Sequence, residues 1–194
     1  TLPWQRVASE LRSHRGATVA QLAWDTPTLL IFLRHAGCTF CREALADISR
    51  HRADIEAEGV RIALVHMGQP MDATLLCERY AVGDVHRYCD PACRLYRAFG
   101  LERGRFGQLF GARVWWRALV SGVAGGHGIG RLAGDGFRMP GVFLLHRGRI
   151  IARYRASTAA DRPDYIDLAR RSRFRLKEER VRGASLTRRV PAGA

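Results

Sequence analysis

Between an apolar run, Thr28 to Leu33, and an amphipathic stretch, Arg42 to Glu58, stand Cys38 and Cys41, two cysteines with two residues between them. No other feature of the chain constrains its fold as tightly. The run follows Pro27 and is continuous rather than alternating, which suits a strand buried on both faces. The later stretch carries Ala44, Leu45, Ile48 and Ile55 along one side at helical spacing. Strand, tight turn and long helix follow one another, with the two thiols in the turn. A cysteine at a helix N-terminus faces unpaired backbone N–H groups and the positive end of the helix dipole, so its thiol pKa falls and it is a thiolate at neutral pH. A second cysteine three residues on lies on the same side of the first turn, near enough for the sulfurs to bond. This spacing casts Cys38 as the attacking thiol and Cys41 as the resolving one. Gly37 permits close approach to the turn, and Arg34, His35 and Arg42 are candidates to lower the thiolate pKa further.

The alternation continues. Trp4, Val7, Ala8 and Leu11 predict a first helix, Val60 to Val65 a second buried strand, Met71 to Tyr80 a helix, and Val85 to Tyr88 a third strand. Ala92 to Phe99 predicts a short helix closed by Gly100. The glycine-rich stretch from Gly104 to Gly136 breaks the pattern, with a short helix expected around Trp115 and Trp116. Gly141 to Leu145 and Arg149 to Tyr154 predict a β-hairpin turning at His146-Arg147-Gly148, and Pro163 to Arg171 a last helix. The expected fold class is α/β: a central mixed sheet flanked by helices, with a C-terminal β-hairpin and helix. Residues 1–173 form one domain in this scheme, and 174–194 a basic, mobile tail.

Charge and cysteine count narrow the function. The 194 residues carry a net charge of +14, which on its face invites nucleic acid. Only Lys177 among the basic residues is lysine, a skew better ascribed to coding bias, and the tail from Arg170 onward concentrates the charge. We therefore expect no nucleic-acid partner. The longest apolar runs are far short of the roughly 20 residues that span a bilayer, so no membrane partner is expected either. The first fifteen residues lack the pattern of a secretory signal. Five unevenly spaced cysteines argue for a reducing compartment, and a cytoplasmic location is expected.

Those cysteines also admit another chemistry. Cys38 and Cys41 with Cys89 and Cys93 offer four thiolates in two close pairs, a possible tetrahedral zinc site whose basic tail would engage nucleic acid or another acidic partner. Against it, Cys38 opens a long helix with no knuckle-like turn, and Pro91 sits inside the second pair; no metal and no other cofactor is expected. The ends of the strands before Cys38 and before Cys89 share one edge of a parallel sheet, so Cys89 and Cys93 are candidate accessory thiols. Cys77, inside a helix, is expected to be core. Met139-Pro140 precedes a strand, where a cis proline would turn the backbone of Met139 toward a substrate. Gly126-His127-Gly128-Ile129-Gly130 follows no strand and is expected to be a plain loop.

Three segments together resemble the peroxiredoxin-like AhpC/TSA proteins: Arg34 to Ala44 around the paired cysteines, Asp90-Pro91 with Leu95 to Leu101, and Gly134-Asp135-Gly136 with Met139 to Phe143. These belong to the thioredoxin superfamily and include the selenoprotein L and prostamide/prostaglandin F synthase types. The resemblance runs from about Thr28 to Leu168. It implies a thioredoxin-like fold, redox roles for Cys38 and Cys41, the superfamily's cis-proline position at Pro140, and a peroxide or disulfide substrate. It also implies a thioredoxin- or glutathione-type reductant. Typical peroxidases of the class carry PxxxTxxC, and neither Pro nor Thr stands at those places before Cys38. The resemblance thus implies an oxidoreductase without implying a peroxidase.

Overall fold

Thr28–Phe32 (β1), Arg61–His66 (β2) and His86–Cys89 (β3) form parallel strands, and Gly141–His146 (β4) with Arg149–Arg155 (β5) adds an antiparallel hairpin. They make one sheet in the order β3-β2-β1-β4-β5 in a computed structural model that describes residues 3–34, 39–104, 137–158 and 160–173. At the centre of the sheet Leu30 pairs with Ala63 of β2 on one side and Phe143 of β4 on the other. All five residues of β1 are buried, as a run without polar alternation requires.

The helices are α1 (Pro3–Glu10), α2 (Val19–Asp25), α3 (Thr39–Ala57), α4 (Pro70–Arg79) and α5 (Arg94–Ala98), and residues 165–173 are also helical. They cover both faces. Leu29, Ile31, Ile62, Leu64 and Val142 pack against α3 and α4 through Leu45, Ile48 and Cys77. On the other face Leu30, Phe32, Val65 and Phe143 meet Trp4, Tyr96 and Phe99. There the Phe32 ring packs edge-on to Tyr96 and Phe143 with centroids 5.0 and 5.6 Å away. No helix among the described residues is long and apolar enough to cross a membrane.

Several boundaries differ from expectation. The long helix already includes Thr39, Phe40 and Cys41 ahead of the expected Arg42, and all three are buried. The helix expected from Ala92 starts at Arg94, since Cys93 takes a left-handed conformation (φ 53°) that no helix accommodates. Asp90 then holds the new start, its carboxylate accepting from the N–H groups of Arg94 (2.9 Å) and Leu95 (2.8 Å). Helix α2 was not anticipated, although Thr18 and Gln21 form a capping box readable in the sequence, at 2.9 and 3.1 Å. The hairpin turns as expected, with positive φ at Arg147 and Gly148.

The expectation of a cis bond at Met139-Pro140 is corrected: every peptide among the described residues is trans. Met139 N–H donates to Glu102 at 3.1 Å, and the Pro140 carbonyl accepts from Ala156 at 3.2 Å, so the chain enters β4 extended with no reversal to make. The trans form is in any case preferred by about 0.5–1 kcal/mol before proline. The helix expected at Trp115 and Trp116, the loop at His127 and the tail from residue 174 lie outside the described residues.

Candidate active site

Cys41 occupies the first turn of α3, at the carboxyl end of β1, the edge where open α/β sheets place their sites. Its Sγ accepts a hydrogen bond from the backbone N–H of Arg34 at 3.1 Å, which ties the helix start to the strand end. The neighbouring strand end is held too. Leu33 N–H donates to Val65 at 2.9 Å, and the Tyr96 hydroxyl donates to the carbonyls of both Leu33 and Val65. Cys38 lies outside the described residues, as do His35 and Gly37.

A narrow cleft of about 30 Å³ opens beside Cys41. Its walls are mostly apolar, from Phe40, Ala44, Val142, Tyr154 and Tyr165, with Pro140 and Gly141 on one flank and Arg34 and Arg162 as the cations. Met139 is buried in the core beneath, and Arg42, partly buried on α3, does not line the cleft. Arg162 is locked in place, bonding Asp47 of α3 at 2.6 Å and Glu43 more closely. Burial pushes the Tyr165 phenol up, so it stays protonated.

The remaining thiols separate. Cys77 is 2% exposed in the core, and desolvation pushes its pKa up to about 11, which leaves it inert as a nucleophile. Cys89, paired in register with His66, donates to the Gly68 carbonyl at 3.3 Å, and burial raises its pKa. Cys93 packs into the opposite face, its Sγ 3.3 Å from Met67 Sδ.

The four-cysteine zinc site is therefore corrected. Cys41 and Cys93 belong to cores on opposite faces of the sheet, and among the described residues no three His, Cys, Asp or Glu side chains converge as a metal site requires. Cys89, in register with His66, keeps Cys41's side of the sheet, and Cys93 faces the other. Sequence reasoning missed His66 and Arg162. His66 ends a strand adjacent to β1, a position that itself signals a site, but the strand was expected to stop one residue earlier. Nothing local marks Arg162, whose partners are more than a hundred positions away.

A five-stranded mixed sheet with a thiol at the β1–α3 junction defines a thioredoxin-superfamily protein, and comparison with known proteins agrees. Residues 47–158 match the model of the AhpC/TSA antioxidant enzymes. The chain belongs to that family, and is peroxiredoxin-like. The matched segment begins beyond Cys38 and Cys41, so membership does not rest on those cysteines. Prostamide/prostaglandin F synthase of Salmo salar is 37% identical over 99 residues, 48% of this chain and 46% of that protein. The chain thus matches less than half of that relative's length. Among solved structures, Xanthomonas campestris peroxiredoxin Q superposes with TM-score 0.60 at 14% identity, covering 91% of this chain and 95% of the other. Peroxidoxin BcpB of Mycobacterium tuberculosis gives TM-score 0.57 at 14% identity, with 86% and 90% covered. A secreted disulfide oxidoreductase of the same organism gives 0.50 at 10% identity, with 83% and 91% covered. At such identities these likenesses speak for the fold.

Proposed function

We propose that the chain is a peroxiredoxin-like thiol–disulfide oxidoreductase in which Cys38 attacks and Cys41 resolves. With a peroxide, the Cys38 thiolate takes one oxygen, giving a sulfenic acid and an alcohol. Cys41 then displaces water from that sulfur to form the Cys38–Cys41 disulfide. With a disulfide substrate, the same two sulfurs act in sequence through a mixed disulfide. A thioredoxin- or glutathione-type thiol donor resets the pair in a reducing compartment such as the cytoplasm.

The observation that carries this reading is the position of Cys41. Its sulfur is held by the Arg34 amide in the first turn of α3, on the wall of a cleft, three residues after Cys38 in sequence. The apolar lining supports a peroxide or disulfide bearing an organic substituent, and the name of the salmon relative points to an apolar, lipid-derived substrate.

Stopped-flow oxidation of the reduced protein by hydrogen peroxide, by an organic hydroperoxide and by oxidised thioredoxin tests it. Cys38→Ser must abolish the reaction, and Cys41→Ser must leave the first attack intact while preventing the intramolecular disulfide. A Cys38→Ser protein that reacts at the wild-type rate would overturn the assignment.

A further inference from the structure

A cavity of about 180 Å³, far larger than the cleft beside Cys41, lies between α1, α2 and the turn of the β4–β5 hairpin. It stands at the other end of the sheet. Leu145 in its wall pairs with Thr28, the first residue of β1, whereas Cys41 lies beyond the last residue of that strand. Along β1 the two places are roughly 13 Å apart.

Three elements hold this space open. Gln5 Nε2 donates to the Gly148 carbonyl at 2.7 Å, and the Arg147 N–H donates to the Ala23 carbonyl at 2.8 Å, so α1 and α2 are each tied to the hairpin turn. Ala20 and Ala23 face the gap between them and are too small to fill it. Voids larger than a water are few in a packed protein.

The lining selects for an aromatic ring. Trp4, 8% exposed, is already tilted against Phe99 with centroids 5.4 Å apart, while Trp24 stands 61% exposed at the rim. An indole left open beside an apolar cavity is surface that a ring would cover, edge-on or offset. An apolar cavity of about 150 Å³ admits one benzene ring, so this one takes a ring with a short substituent.

Charge at the mouth selects the substituent. No carboxylate lines the cavity, and Arg147 and Arg149, both exposed, flank Gly148 in its wall. The Arg147 guanidinium makes no ion pair with any described residue. The acidic residues next to the lining in sequence are Glu10, already bridged to Arg6 and Arg94, and Asp25. We propose that this cavity binds a single aromatic ring bearing a short carboxylate arm, with the ring between Trp4 and Trp24 and the carboxylate at Arg147. The site is separate from the thiols and uses none of their chemistry.

The test follows the indole N–H signals of the four tryptophans in ¹H–¹⁵N spectra of the full-length protein, with Trp4→Phe and Trp24→Phe assigning two of them. Phenylacetate should shift the Trp4 and Trp24 signals saturably, with a dissociation constant below about 1 mM. Cyclohexylacetate, of similar size and equal charge, should bind at least about threefold more weakly, as should the neutral phenylacetamide. Ala20→Phe fills the cavity and should weaken phenylacetate binding about tenfold or more. Arg147→Gln, a surface change that spares the fold, should abolish the preference for phenylacetate over phenylacetamide. No saturable shift at about 10 mM phenylacetate overturns the proposal, as does a shift confined to the other two tryptophans or one that survives Ala20→Phe at full affinity. Equal binding of cyclohexylacetate overturns the aromatic assignment, and equal binding of phenylacetamide, or a preference unchanged in Arg147→Gln, overturns the anionic one.

Discussion

The backbone N–H of Arg34 and the Sγ of Cys41 are joined by a hydrogen bond of 3.1 Å that closes the connection from β1 to α3. It fixes the Cys41 sulfur relative to the strand end and gives a buried amide its partner. Removing the sulfur therefore has a structural cost apart from any chemistry. Cys41→Ser keeps an acceptor and should lose less than about 1 kcal/mol, whereas Cys41→Ala removes the acceptor of the Arg34 amide and should lose roughly 1–3 kcal/mol. Urea denaturation of the two variants in parallel gives the comparison, and equal losses would rule out a role for the bond.

Arg162 bonds Asp47 and Glu43 at once, with all three side chains mostly shielded from water. Arg162→Ala removes the cation that joins two carboxylates of α3 beside the cleft, leaving Asp47 its longer contact with Arg50, and should destabilise the fold by about 1–3 kcal/mol. Arg162→Lys should recover only part of this, because a single ammonium cannot match two divergent acceptors as the guanidinium fork does. Thermal melts of both variants check the order.

Gly141 sits where a side chain has no room. A Cβ there would lie 2.7 Å from Leu101 Cδ2 and 3.1 Å from the Tyr154 carbonyl, a backbone atom of the paired strand. Gly141→Ala should cost about 1–3 kcal/mol by overpacking, and because Gly141 also lines the cleft it should slow oxidation of the thiols. Chemical denaturation and peroxide kinetics report the two effects separately.

Stability should fall in mild acid through His66. Its folded pKa of about 4 lies below the ordinary 6.5, so between these values the unfolded chain binds a proton that the folded protein refuses. The stabilisation is complete above the unfolded value and is lost as pH falls toward the folded one. From pH 7 to pH 5 the loss from this residue should be roughly 2 kcal/mol. His14 and His86, also lowered mainly by burial, add in the same direction. The measurement is accordingly the difference between wild type and His66→Asn in unfolding free energy at the two pH values. Parallel curves would exclude His66 as a source of the slope.

Much of this protein could be read from local pattern. The buried runs, the hairpin and the long helix after Cys41 appear where periodicity and turn residues place them, because each reflects a preference expressed within a few residues. The resemblance to the AhpC/TSA proteins was legible for the same reason, in short segments around Arg34, Asp90 and Met139. What failed depended on distance. Cys89 and Cys93 look like one pair in sequence, yet Cys93 belongs to the opposite core because the chain takes a left-handed turn at that residue. A proline before a strand can be cis or trans, and only the extended entry into β4 decided between them. His66 joined the site through its place at the end of β2, and Arg162 through contacts that a distant loop makes with α3. The sequence by itself determined most of the elements, their order and the placement of Cys41 near the start of the long helix, since these follow from near-neighbour sterics and hydrophobic period. Only the tertiary structure decided which side of the sheet Cys41, Cys89 and Cys93 face and that His66 and Arg162 stand near Cys41, because pleat direction and packing across layers are set by the whole core at once.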